Sequence, residues 1–293
     1  MVRLRPSWGV CLLLSLCART AESQILRTEP DAPAEGSLFR IVLSPAVPLA
    51  SVHGTVAGEP VHFELAEDGA LVALAAAPLD AGDSVHVRLV LTRADGRIEK
   101  LQLAVPVLRG RYPLERLTVA PRFGAPPDSA TAARIALERE RARHVSTHAH
   151  DSPRVWTDVV LPRDSRITSG FGGGREFNGV VQSRHTGTDF AGPAGAPVHA
   201  AARGVVALVD EFHLAGNVVY LDHGAGLVTA YFHLSRALVA QGDTVAAGQE
   251  IGLVGATGRV TGPHLHWVVR YGSISVDPLG LIPLGTTSHG TKR

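Results

Sequence analysis

The chain has almost no sulfur and few aromatic rings. Its two cysteines, Cys11 and Cys17, both stand near the N-terminus, and aromatic residues make up 5% of the 293. If a leader is cut after them, no disulfide can staple the remainder and no cysteine can serve as nucleophile. Charge of one sign is also lacking. The formal net charge is +1, and without Arg3, Arg5 and Arg19 the 28 basic residues become 25 against 27 acidic, a net charge of −2. No basic stripe or basic-aromatic interleaving is present, so nucleic acid is not an expected partner. Long apolar runs are missing too. Residues 10–18 form a short one behind Arg3 and Arg5, with small residues near position 21. This pattern predicts a cleaved signal peptide over 1–21, an exported protein, and no integral membrane segment after cleavage.

Glycine (31) and proline (19) are plentiful, and hydrophobic residues reach 45%. Helical periodicity is confined to short stretches. These features predict a mainly β, turn-rich protein long enough for two cores. Residues 25–110 read as a small β-sandwich. Val61-His62-Phe63-Glu64-Leu65 alternates cleanly, and 84–91 and 98–107 flank an Ala94-Asp95-Gly96-Arg97 turn as a hairpin. His53, His62 and His86 are expected on solvent-facing strand positions. Residues 111–150 read as a proline-rich linker containing one helix, opened by Asp128 or Ser129 as cap and running through Arg143. His144, His148 and His150 fall at the fraying helix end and are expected at the surface. From 151 to 285, short apolar or alternating segments separated by glycine turns predict an antiparallel β-sheet module. Residues 286–293 are left as a tail.

The chemistry gathers in that last module. His185-Thr186-Gly187-Thr188-Asp189 places a histidine and an aspartate four apart, and His264-Leu265-His266 places two histidines on one face of a strand, with Leu265 turned inward. Imidazole nitrogen and carboxylate oxygen suit Zn²⁺, and three protein ligands with one open position mark a catalytic site. Four candidates for three places leave one histidine free. His233, at the end of an apolar run, is a fifth. A metal-polarised amide still needs a group to take a proton from water and hand it to the leaving amine, and histidine has a suitable pKa. These residues point to metal-assisted amide hydrolysis.

Seven ordered elements extend the pattern. They are Ser169-Gly170-Phe171-Gly172, His185-x-x-x-Asp189, Gly204-x-Val206, Asp222-His223-Gly224, His233-Leu234-Ser235, Gly255-x-x-Gly258 and Thr261-Gly262-Pro263-His264-x-His266. Together they make residues 156–284 resemble the M23 metallopeptidases of the LytM and lysostaphin type. The resemblance implies an antiparallel sheet crossed by an active-site groove, with His185, Asp189 and His266 as zinc ligands. His233 and His264 become the catalytic histidines, with base and acid roles undivided between them. It further implies a zinc metalloendopeptidase that hydrolyses peptide cross-links of bacterial peptidoglycan in the periplasm or cell envelope. The alternative it offers is a catalytically silent regulator that activates a cell-wall amidase. Some relatives carry a tyrosine shortly before the first ligand. Here 177–184 has none, which leaves Asn178 as a possible substitute donor, with Arg175 and Tyr231 as further groove candidates. Oligomeric state is not readable.

Overall fold

The structure is a computed structural model that describes residues 25–285. The expected signal peptide (1–21) and the tail (286–293) lie outside the described residues. The mainly β, antiparallel fold anticipated from the sequence is what the chain forms.

Residues 25–106 build two four-stranded sheets. One runs Ile25–Glu29, Leu38–Ser44, Leu71–Ala76, Phe63–Leu65; the other runs Glu59–Pro60, Leu49–Val56, Ser84–Arg93, Ile98–Pro106. The period-2 pattern of Ser84–Arg93 turns Val85, Val87, Leu89 and Leu91 inward and leaves His86 and Val90 outside. Phe39, Ile41 and Leu43 meet them from the facing sheet. Each such side chain, fully buried, contributes about 1.5–3 kcal/mol relative to exposure.

The linker is more ordered than its composition suggests. Leu114–Leu117 is a strand that pairs parallel with Gly174–Phe177, whose other neighbour is Val181–Arg184. The helix runs Ser129–His148, five residues beyond the expected end. Asp128 caps it, its side chain accepting from the Thr131 amide at 2.7 Å. The helix buries Ile135, Glu138, Ala142 and Ser146, a narrow face at i, i+3, i+7 and i+11 spacing. That face lies over the large sheet, where Ala142 joins Phe212, Tyr220 and Phe232 in one cluster.

The large sheet has ten strands, and its main path is Ile167–Ser169, Thr188–Ala191, His264–Tyr271, Leu227–Ala237, Gly216–Gly224, Gly204–Phe212, Thr244–Val245. Every neighbouring pair on it is antiparallel. Leu265 and Trp267, both fully buried, join Tyr231, Leu234 and Phe190 on one side. The intervening His264 and His266 are thereby held to the other face. Among the described residues, no helix is long and apolar enough to cross a membrane.

Two histidines read as surface residues are not. His62 Nε2 lies 2.9 Å from His150 Nδ1, and His150 Nε2 lies 3.0 Å from the buried Glu59 carboxylate. That carboxylate also accepts from the Ser273 amide at 3.0 Å and from its hydroxyl, while Tyr271 donates to the Pro60 carbonyl at 2.8 Å. The chain's return across 88 residues made this cluster, and the alternation of residues 61–65 carries no trace of it.

Candidate metal centre

Thr188–Ala191 lies beside His264–Tyr271 with Asp189 directly opposite His266. His185 precedes the first strand, in the short link that follows Val181–Arg184. Its imidazole meets the other two side chains so that one donor atom from each lies within 4.8 Å of the others, all three residues buried. His185 Nε2 is 3.0 Å from Asp189 Oδ1 and 3.0 Å from His266 Nδ1, and His266 Nδ1 is 2.7 Å from Asp189 Oδ1.

Proton placement tests whether this set suits a cation. His185 Nδ1 sits 2.6 Å from the Gly170 carbonyl, which only accepts, so the imidazole proton belongs on Nδ1. Nε2 then presents a bare lone pair to a carboxylate oxygen, an arrangement that is repulsive until a cation stands between them. Nitrogen, oxygen, nitrogen is a donor set for zinc and similar divalent ions. The residues therefore fit a metal ion.

Asp189 is anchored on its far side by Arg175, whose Nη2 is 2.5 Å from Oδ2. Burial would raise its pKa, but the His185 and His266 imidazoles beside it outweigh that and hold the carboxyl far below the usual carboxylate range. Burial pulls His266 down to about 4 against the opposing effect of Asp189. Arg175 also pairs with Glu115 at 3.1 Å, and Glu115 accepts from Ser169 Oγ at 2.7 Å. Glu115 escaped sequence reading because it sits in the linker strand, whose parallel pairing with Gly174–Phe177 brings it here.

His233 and His264 stand over the same point. His233 Nδ1 is 2.8 Å from the Thr257 carbonyl and His264 Nδ1 is 2.8 Å from the Gly262 carbonyl, so both rings keep their proton on Nδ1 and leave Nε2 free. His264 Nε2 lies 3.8 Å from Asp189 Oδ1, and the two rings are 4.9 Å apart. His233 has φ of 61°, the left-handed region, and it is held there by backbone packing. A Cβ on Gly255 would fall 2.3 Å from the Ser235 amide and 2.7 Å from the His233 carbonyl, so that crossing tolerates only glycine. Burial first, then the neighbouring His266 and His264, push the His233 pKa well below its ordinary value, and it is neutral at pH 7.

Other candidates fall elsewhere. The Asn178 side chain bonds both to the amide and to the carbonyl of Val119, at 2.9 and 3.1 Å, and faces the linker. Tyr231 is fully buried and its hydroxyl accepts from the Ala201 amide at 2.7 Å. His199 touches the Pro162 carbonyl, and His223 is locked between the Arg203 carbonyl and Thr229. Helix Ser129–His148 walls the groove through Ile135, Glu138, Arg139 and Ala142. It adds no ligand to the three-residue cluster.

Gly187, between His185 and Asp189, has no room for a side chain. A Cβ there would lie 2.4 Å from the Trp267 carbonyl and 2.8 Å from two atoms of the His266 ring. Gly187→Ala is expected to displace His266 and to weaken zinc affinity about 10–100-fold, the range seen when support of a ligand is lost. Competition with a chromophoric chelator measures it, and unchanged affinity would mean that His266 is not a ligand.

The model of peptidase family M23 matches residues 183–278. ShyA of Vibrio cholerae, a peptidoglycan DD-endopeptidase, is 48% identical over 110 residues, which are 36% of this chain and 25% of that protein. Mpg of Neisseria meningitidis, a DD-carboxypeptidase/endopeptidase, is 45% identical over 97 residues, 33% of this chain and 22% of that one. The chain thus spans about a quarter of the length of these relatives. A crystal structure of a candidate M23 peptidase from Pseudomonas aeruginosa superimposes with a TM-score of 0.63 at 28% identity, covering 85% of this chain and 95% of that one. His185, Asp189, His233, His264 and His266 all fall within the matched stretch, and residues 183–278 carry a peptidase family M23 domain.

Proposed function

We propose that this protein is an exported zinc metalloendopeptidase that hydrolyses peptide cross-links of bacterial peptidoglycan in the cell envelope. The observation that carries the reading is the lone-pair arrangement. His185 Nε2, Asp189 Oδ1 and His266 Nδ1 converge within 3.0 Å of one another while the Gly170 carbonyl keeps the His185 proton on the opposite nitrogen. His185, Asp189 and His266 would hold zinc. When bound, the ion would supply Lewis acidity, polarising the scissile carbonyl and lowering the pKa of water to about 7.

The chain's own groups supply the rest. His264 Nε2 lies 3.8 Å from Asp189 Oδ1 and the His233 ring 5.9 Å from that of His266, and between them these two histidines would take a proton from the attacking water and deliver one to the leaving amine as the C–N bond breaks. The Thr257 and Gly262 carbonyls orient these rings, and burial keeps His233 neutral and basic. Arg175 fixes the Asp189 carboxylate in rotation. The substrate class follows from the names of the aligned relatives, with the D-alanyl–diaminopimelate cross-link as the bond cut and a glycine bridge as the alternative. The division of the chain at 25–110, 111–150 and 151–285 belongs to the same proposal, as does the signal peptide.

The test is digestion of diaminopimelate-type peptidoglycan by the zinc-loaded protein, read by mass spectrometry of the muropeptides. Cross-linked dimers should be lost with the wild type and persist with His233→Ala. An intact wall under full zinc loading would exclude this substrate, and failure to take up zinc would favour the regulator.

A further inference from the structure

The groove beside the metal centre is a cavity of about 260 Å³, and its charge is uneven. Arg139, Arg175, Arg184, Arg259 and Arg270 line it against one carboxylate, Glu138. Two of these arginines are already engaged: Arg175 with Asp189 and Glu115, and Arg184 with Asp80 at 3.3 Å and the Gly172 carbonyl at 2.9 Å. Glu138 is engaged as well, accepting from Arg134 at 2.7 Å and from the His213 amide at 2.8 and 3.0 Å. Among the described residues, Arg139, Arg259 and Arg270 have no carboxylate partner. The cavity therefore holds a surplus of cationic donors that the fold leaves unused.

Arg259 is the best placed of the three. Its guanidinium carbon stands 3.8 Å from the centroid of the buried Phe177 ring, and its backbone is tied by its amide to the Leu214 carbonyl at 2.8 Å. Stacking on an aromatic face leaves the N–H edge of a guanidinium free for in-plane, two-point contact with a carboxylate. Arg259 is half-buried. Burial, then Arg175 and Arg139, bring its pKa down to about 10, as expected for a cation crowded by others and lacking an anion. It also lines a second cavity, of about 350 Å³, which shares Arg175, Phe177 and His233 with the first, so a group held by Arg259 would lie near His233.

We propose that Arg259, backed by Arg139 and Arg270, forms a carboxylate-binding subsite through which this centre selects acidic peptides. The ligand is a carboxylate carried by the substrate peptide itself. The identity of that peptide rests on the proposed function, but the recognition chemistry does not. Arg259 acts in specificity, with binding loss as its signature.

The probe is the stem tetrapeptide L-Ala-D-Glu-diaminopimelate-D-Ala, titrated calorimetrically into the zinc-loaded full chain at low and moderate salt. Parallel titrations use the same peptide amidated at the C-terminal carboxyl, at the diaminopimelate carboxyl or at the glutamate carboxyl. Amidation of one of these should weaken binding to the wild type about tenfold or more, the loss expected for a charge-assisted two-point contact. The arm that shows the loss names the carboxylate. Arg259→Gln should weaken the acidic peptide by the same factor and be indifferent to that amidation, while Arg259→Lys should fall between. Zinc content and thermal midpoint establish that the variants are folded, and the amidation series on the wild type stands without them. Equal affinity of the wild type for all four peptides would overturn the subsite, as would an Arg259→Gln protein that still discriminates among them. Hydrolysis of cross-links without carboxylate discrimination refutes the subsite alone. Discrimination without hydrolysis refutes the proposed reaction alone.

Discussion

Replacing Asp189 with alanine should remove the metal and with it all measurable hydrolysis. Asp189 supplies the only anionic donor of the three-residue cluster, and it faces both imidazoles through one oxygen, at 3.0 and 2.7 Å. Two neutral nitrogens alone cannot offset the cost of dehydrating a divalent cation in a buried site. The loss of affinity should exceed the 10–100-fold typical of changes one shell further out. The substitution also strips Arg175 of a partner at 2.5 Å while leaving Glu115 at 3.1 Å, so a folded protein destabilised by about 1–3 kcal/mol is expected. Asp189→Asn separates charge from shape, since it keeps the volume and lacks the negative charge; it too should lose the ion. Metal content after dialysis and thermal unfolding with and without zinc give the result. A stoichiometrically loaded Asp189→Ala protein would mean that the ligand set is wrong.

His233→Ala should have the opposite profile, with metal retained and turnover reduced about 10²–10⁴-fold, the usual span of general acid–base catalysis. The ring stands 5.9 Å from that of His266, and its Nδ1 is occupied by the Thr257 carbonyl at 2.8 Å. What the substitution deletes is the neutral, proton-accepting Nε2. His233→Asn is the sharper control. Asparagine tolerates the positive φ of 61° and can still donate to Thr257, yet has no basic nitrogen. Its rate should match that of alanine with smaller cost to stability. His264→Ala should behave alike, and the double variant should lose less than the product of the two single losses if the rings share one proton path. Loss of zinc from either single variant would transfer that residue to the ligand set.

The same contrast marks how far the sequence reaches. Strand periodicity puts His264 and His266 on one face and sends Leu265 and Trp267 into the core, where they are fully buried. That is a local property of an extended chain and needs no knowledge of the rest. Alternation along Ser84–Arg93, the Asp95-Gly96 turn and the cap at Asp128 were legible for the same reason. Hydrogen-bonding needs within a few residues decide each of them. The helix outran its expected end because beyond Arg143 it still buries Ser146 and packs Val145 into the cluster on the sheet, a tertiary contact that outweighs weak local propensity.

What the sequence determined by itself is an exclusion and a set of donors. It rules out thiol chemistry beyond residue 17 and presents five groups with the chemistry to bind a metal and move a proton. Only the tertiary structure decided which nitrogen of His185, His233 and His264 is left free, because the choice is made by the carbonyls of Gly170, Thr257 and Gly262, and each carbonyl's direction depends on how its loop is packed. It also decided that Glu115 supports Arg175 across 60 residues, that His62 and His150 meet across 88, and that Arg259 lies on Phe177 without a counter-charge. Periodicity fixes direction within an element. Partnership between elements depends on where the chain returns, and no local pattern encodes that.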